Sequence, residues 1–144
     1  MNSHRITLWL TRLVLLTVFC FNVGCALSFV AAPTVYAPSF EVSGVPGETL
    51  VRGIGILFLV WNATYPLAIW HPLRHRCLFV IIILQQAIGV LGETWMLLTL
   101  PAGHTVLAAT GWRFVVFDGG GLVAMLVTFA LTQLTGSRAS PTGG

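Results

Sequence analysis

Charge is what this sequence has least of. Of its 144 residues 8% are Asp, Glu, Lys or Arg, against about 25% in an average soluble domain. The acids number four, Glu41, Glu48, Glu93 and Asp118. The seven basic residues are all arginine, and lysine is missing altogether. So few charges cannot clothe a water-soluble globule. They also exclude intrinsic disorder and nucleic-acid binding, both of which need far more charge. Three cysteines cannot staple a disulfide-rich secreted domain. Histidine is scarce and badly placed for a haem between helices, because His4, His71, His75 and His104 all fall in flanks or loops. No nucleophile, base and orienting acid come together in the sequence, so hydrolytic chemistry has no visible machinery. We expect no cofactor and no metal site.

Apolar residues are present in their place, at 56% of the chain with a mean hydropathy of +0.91. A membrane-spanning helix takes about 20 mainly apolar residues. Four such stretches are legible, at 13–32, 49–70, 77–100 and 112–134. The fold class expected is therefore an all-α integral membrane protein, a compact bundle of four transmembrane helices. Pro33 and Pro38 follow the first stretch, Pro46 and Glu48 suit the first turn of the second, His71-Pro72 closes it, and Pro101 stops the third. Residues 1–12 form an N-terminal flank, and 135–144 a flexible polar tail.

Arginine placement predicts the direction of insertion. Arg5, Arg12, Arg74, Arg76 and Arg138 fall on one side, and Arg52 and Arg113 on the other. The positive-inside rule then puts both termini in the cytoplasm, as expected for the cytoplasmic membrane of a bacterium. Pro33–Thr49 and Ala102–Gly111 become external, and the basic turn His71–Arg76 becomes an internal anchor facing anionic lipid. Trp9, Trp70 and Trp112 lie near span ends, where aromatic rings favour the interface. Asn22-Val23-Gly24-Cys25 resembles a lipoprotein signal ending at Cys25. The apolar run before it is longer than a signal peptide needs, so the first span reads as a retained helix.

Helical periodicity assigns faces to these spans. At about 100° per residue, Gln85, Gln86, Gly89, Gly92 and Glu93 share one sector of the third, opposite Leu84, Ala87, Ile88, Leu91, Trp95 and Leu98. Small and polar on one side with bulky apolar on the other describes a bundle-facing side and a lipid-facing side. Gly120, Ala124 and Thr128 in the fourth span, and Cys20, Gly24 and Ser28 in the first, recur every fourth residue, as close helix seams do. The spacing of the cysteines fits neither a redox pair nor a metal framework. In the second span Arg52, Gly55, Leu59 and Asn62 share a face. The triplet Asn62-Ala63-Thr64 matches a glycosylation acceptor, but lies too deep to be reached.

Two polar layers follow. Asn22, Asn62, Gln85 and Gln86 form a midplane layer of amides, either bonded across helices or lining a small cavity. Arg52, Glu93, Arg113 and Asp118 share a second, charged depth. An unpaired charge at the centre of a span costs about 2.5–3.5 kcal/mol even on the lenient insertion scale. Interhelical pairs are therefore expected, Arg113 with Glu93 and Arg52 with Asp118, or crossed. After Asp118 comes Gly119-Gly120-Gly121, a run costing about 1 kcal/mol per glycine in a helix. Either a neighbouring backbone packs closely there, or the helix breaks and Asp118 caps a new one.

The four-span layout, with the Arg52-Gly53-Ile54-Gly55 opening of the second span, resembles small bacterial membrane proteins of the DoxX type. The likeness covers little of the chain, and no functional residue is carried over from it. Three roles compete. The least demanding is a non-enzymatic accessory or assembly subunit with a membrane-protein partner, or a homo-oligomer, in the lipid bilayer. A second is a small transporter or exporter using the charged layer, and a third is a quinone-linked redox component.

Overall fold

The structure is a computed structural model, and it describes residues 3–137. All its regular elements are helical. Backbone N–H and C=O groups in hydrocarbon have no water to bond, so long apolar runs satisfy them within one helix. Helix α1 (Ser3–Ala31) is followed by the short α2 (Pro33–Tyr36) and a single 3-10 turn (Ala37–Phe40). Next come α3 (Gly44–Asn62), α4 (Tyr65–Trp70), α5 (Arg76–Leu98) and α6 (Thr105–Ser137). Four segments, with α3 and α4 counted as one, are long and apolar enough to cross a membrane.

Each span starts earlier than its apolar core. Helix α1 covers most of the expected flank, because hydrogen bonding continues past the point where apolarity ends. Its 29 residues reach about 43 Å, beyond the ~30 Å of hydrocarbon. Helix α3 begins at Gly44 because Pro46, in its first turn, has no amide hydrogen that an earlier carbonyl would need to accept. Helix α6 begins at Thr105 and runs unbroken through Asp118 and the three glycines. The broken alternative is not adopted, since α6 packs along both α1 and α5, and tertiary packing carries a helix across poor formers. The expected tail at 135–144 is still helix as far as Ser137, and its remainder lies outside the described residues.

The second span is interrupted where no interruption was expected. Pro66 has no amide hydrogen to offer the carbonyl of Asn62, and its ring crowds that carbonyl. The helix lapses into a turn at Ala63 and Thr64, where Ala63 N donates to Val60 O in a tighter closure. Helix α4 then resumes, ending under Arg12, whose Nη2 donates to the Trp70 carbonyl at 2.9 Å.

Helix α1 is the hub, packing on α3, α4 and α6, while α5 packs on α6 and α4. The core divides in two. Near the termini, Leu15, Val18, Tyr65, Ala68, Phe79, Ile82 and Met125 are buried together. At the opposite end Phe29, Ala37 and Val51 form a second cluster, bordered by Phe40, Phe58 and Phe114. Leu84, Ile88, Leu91, Trp95 and Leu98 are 56–81% exposed and make a continuous apolar outer face on α5, as a lipid-facing side requires.

The close approaches are not where the four-residue repeats put them. Cys20 is exposed, and a Cβ on Gly24 or Gly120 would meet nothing within 4 Å. These positions face outward. The α1–α3 contact is instead made at Gly55, where a Cβ would stand 2.7 Å from the Ala26 carbonyl oxygen. Within the glycine run only Gly121 packs, with its Cβ position 3.2 Å from Val18 Cγ2.

Candidate functional site

Between the two core clusters the helices leave a cavity of about 310 Å³. Helix α1 contributes Phe21, Asn22, Cys25 and Phe29; α3 contributes Phe58, Trp61 and Asn62; α5 contributes Gln86 and Glu93. Helix α6 supplies Thr110, Arg113, Phe114, Phe117 and Asp118. Tyr36, Ser39 and Phe40 close the end away from the termini. A second space of about 230 Å³ adjoins it, sharing Phe40, Phe58, Glu93, Thr110 and Phe114 and lined otherwise by apolar residues such as Ile54, Met96 and Leu97.

The amides expected in one layer divide into two links. Asn22 Nδ2 donates to Asn62 Oδ1 at 3.4 Å, tying α1 to α3, and Asn62 Nδ2 donates to the Phe58 carbonyl at 2.8 Å. Gln86, almost fully buried, donates from Nε2 to Asp118 Oδ1 at 2.7 Å and to the Asp118 carbonyl at 3.3 Å. Tyr65, brought inward just after the helix interruption, donates its hydroxyl to Gln86 Oε1 at 3.5 Å. Gln85 stays outside this arrangement, its Oε1 buried without a partner.

The charged layer differs more. Among the described residues no guanidinium lies within 4.0 Å of a carboxylate, so the expected ion pairs are not formed. Arg52 is exposed and lies outside the cavity. The buried face of α3 is Val51, Gly55 and Asn62, with Phe58 partly covered, and Arg52 stands about 100° from Val51 around the helix. Arg113 does line the cavity, but makes no ion pair. The two acids share the cavity instead, with the Glu93 and Asp118 carboxyls near enough to act on each other. No donor group of the protein reaches Glu93 Oε2, which is buried. Trp61 Nε1 is likewise buried without an acceptor. Gly119 and Gly120 add no side chain and no close neighbour, and Gly121 abuts Val18 and Gln86.

The cap over the cavity was not foreseen from sequence. Phe29 gathers Tyr36 and Phe40, with ring centroids 5.0 and 5.6 Å away, and Thr110 Oγ1 donates to the Ser39 carbonyl at 2.8 Å. Glu41, with a left-handed φ of 54°, turns its carboxylate onto the start of α6. There it pairs with His104 Nδ1 at 2.5 Å and accepts the Leu107 amide at 3.0 Å. The hydrogen bond from His104, followed by that from Leu107, holds the Glu41 carboxyl below its ordinary range. A carboxylate is favoured at a helix N-terminus, where the first amides lack partners. An isolated Glu in a loop gave no signal of this. Among the described residues, no three His, Cys, Asp or Glu side chains converge as metal ligands would.

No protein-family model, no curated protein and no solved structure matches this chain. Its function must be argued from the cavity itself.

Proposed function

We propose that the chain is a small multi-pass transporter of the bacterial cytoplasmic membrane, with both termini inside, that exchanges a proton for a small ligand in the cavity. The observation that carries this reading is the pair of acids, Glu93 and Asp118, facing one cavity with neither in an ion pair with an arginine. Two like charges in one buried cavity resist joint ionisation, so such a pair favours holding a proton. A buried acid without a basic partner is a functional group by default within a membrane. Support also comes from the interruption of the second span beside Asn62, since discontinuous helices supply transporter sites with free helix ends. The polar-capped end and the apolar side space give the cavity two distinct margins.

The accessory-subunit reading draws on the small-residue seams and the buried polar layers, and Gly24 and Gly120 leave open space for a partner helix, but it gives the cavity no role. Proteoliposomes with an imposed pH gradient test the transporter directly. Radiolabelled aromatic compounds of four kinds, cationic, zwitterionic, neutral and anionic, are offered in turn. One kind should accumulate above protein-free vesicles, and Glu93→Gln should abolish the accumulation without loss of the folded protein. Failure of all four kinds to accumulate would leave the accessory role as the better account.

A further inference from the structure

The chemistry of the cavity walls selects among those four kinds. We infer that the ligand is a compact aromatic monoamine, with its ammonium group seated on the Glu93–Asp118 carboxyl pair and its ring among Phe29, Phe58, Trp61, Phe114 and Phe117. Its passage across the membrane rests on the transporter reading, whereas its binding does not.

Four observations converge on this class. First, the buried Glu93 Oε2 lacks a donor, and an ammonium group brings three. A neutral hydroxyl would satisfy one oxygen, but could not take the place of the proton held by the acids. An ammonium can. As R–NH3⁺ enters, one proton leaves the carboxyl pair for water, so the net charge inside the cavity is unchanged. An anionic head group would instead add a second negative charge beside the singly ionised pair. The other ionisable groups facing the cavity are the Cys25 thiol on α1, the Tyr36 hydroxyl on α2 and the Arg113 guanidinium on α6. Tyr65 on α4 reaches the pair through Gln86, and α3 offers none.

Second, the walls are aromatic. Phe58 and Phe114 stand 6.2 Å apart at their ring centroids in an edge-on arrangement, and Phe29 lies 6.3 and 6.4 Å from them. Ring faces attract a desolvated cation and also pack against an aromatic body. Third, α3 terminates at Asn62, a cavity residue, and so brings the negative end of its dipole to this site. Pro66 leaves the Asn62 carbonyl without its helical donor. Fourth, about 310 Å³ is at the small end of ligand sites, and has room for one or two fused rings. Arg113 stands five residues before Asp118 on α6, about 7.5 Å along the axis, and forms no ion pair with either acid.

Equilibrium dialysis against the full-length protein in detergent tests the inference without any gradient. The probes are phenethylamine and tryptamine, neutral 2-phenylethanol, and anionic 3-phenylpropionate. Both amines should bind at least tenfold more tightly than the alcohol, the anion should not bind, and an indicator dye in weak buffer should record proton release as the amine binds. Glu93→Gln and Asp118→Asn should erase the preference for amine over alcohol, whereas Arg52→Gln should leave it intact. If both acid variants fail to fold, the wild-type ratio of amine to alcohol and the proton release still decide the matter. Equal binding of amine and alcohol, or tighter binding of the anion, which would make Arg113 the head-group site, overturns the inference. Binding of amines with no uptake into vesicles would instead defeat the transporter reading and leave the ligand class standing.

Discussion

Replacing Gln86 by leucine isolates the group that holds the acid pair in place. Leucine keeps nearly the same bulk but removes the amide that donates to Asp118 Oδ1 at 2.7 Å. The bonds to the Asp118 carbonyl at 3.3 Å and from Tyr65 at 3.5 Å lie at the long limit and contribute little. One short bond to an acid is worth about 1.5–3 kcal/mol in a protein interior. Side-chain bonds between membrane helices average about 0.6 kcal/mol and reach about 1.7. The ranges meet near 1.5 kcal/mol, which is the expected loss of stability for Gln86→Leu. If Asp118 must be reoriented before an amine can bind, the same energy appears in affinity as about a tenfold weakening. Reversible unfolding in mixed micelles gives the first quantity, and equilibrium dialysis of phenethylamine gives the second. Gln86→Asn separates position from chemistry, because a side chain about 1.5 Å shorter keeps the amide but cannot keep the contact. It should behave like the leucine variant. A Gln86→Leu protein as stable as wild type, with unaltered amine affinity, refutes the clamp.

Two further perturbations bear on the fold and on the cap. Gly55→Ala should destabilise by about 3 kcal/mol, the upper end of the overpacking range, because its methyl would meet the Ala26 carbonyl, a backbone atom that cannot swing away. Gly24→Ala, with open space around it, should instead be neutral or stabilising by up to about 1 kcal/mol; the same unfolding assay compares them, and equal losses would contradict the α1–α3 contact. The cap should loosen in acid. The Glu41 carboxyl titrates lower when folded than when unfolded, so its contribution is complete above the ordinary carboxylate range and disappears as pH falls through the folded value. Hydrogen exchange at the Leu107 amide, corrected for its intrinsic pH dependence, should rise below about pH 4 in the wild type. Glu41→Gln should flatten that rise, and an unchanged rise in the variant would assign it to some other group.

The spans were legible because hydrocarbon imposes a length and an apolar composition on any helix that crosses it. Their ends were not, since α1, α3 and α6 continue as helix into residues that hydropathy no longer marks. Pro66 was the overlooked signal: a proline within an apolar run predicts the lapse at Ala63 and Thr64. On α5 the helical wheel found part of the inward side: Gln86 and Glu93 line the cavity, whereas Gly92, placed in the same sector, is exposed. The same method misplaced Arg52 because a face was drawn too wide. Val51, Gly55, Phe58 and Asn62 span only about 60° around α3, and Arg52 falls outside that arc. Pairing charges by depth then failed for a related reason. Depth says which residues share a layer, whereas rotation about each helix decides which of them face one another.

The run Asp118-Gly119-Gly120-Gly121 acquires a meaning only when the site is assembled. Along α6 the residues facing inward are Leu107, Thr110, Phe114, Asp118, Gly121, Met125, Thr128 and Thr132, a stripe spaced by three and four. The upper part of this stripe binds the cap, through the Leu107 amide and the Thr110 hydroxyl. Its middle carries the acid. Directly below the acid, a Cβ at position 121 would lie 3.2 Å from Val18 and 3.7 Å from Gln86 Nε2. A larger side chain there would therefore push away the amide that Asp118 accepts. Gly121 is thus part of the site by what it omits, while Gly119 and Gly120 bring no such contact. A single helix face joins the Glu41-bound cap to Asp118.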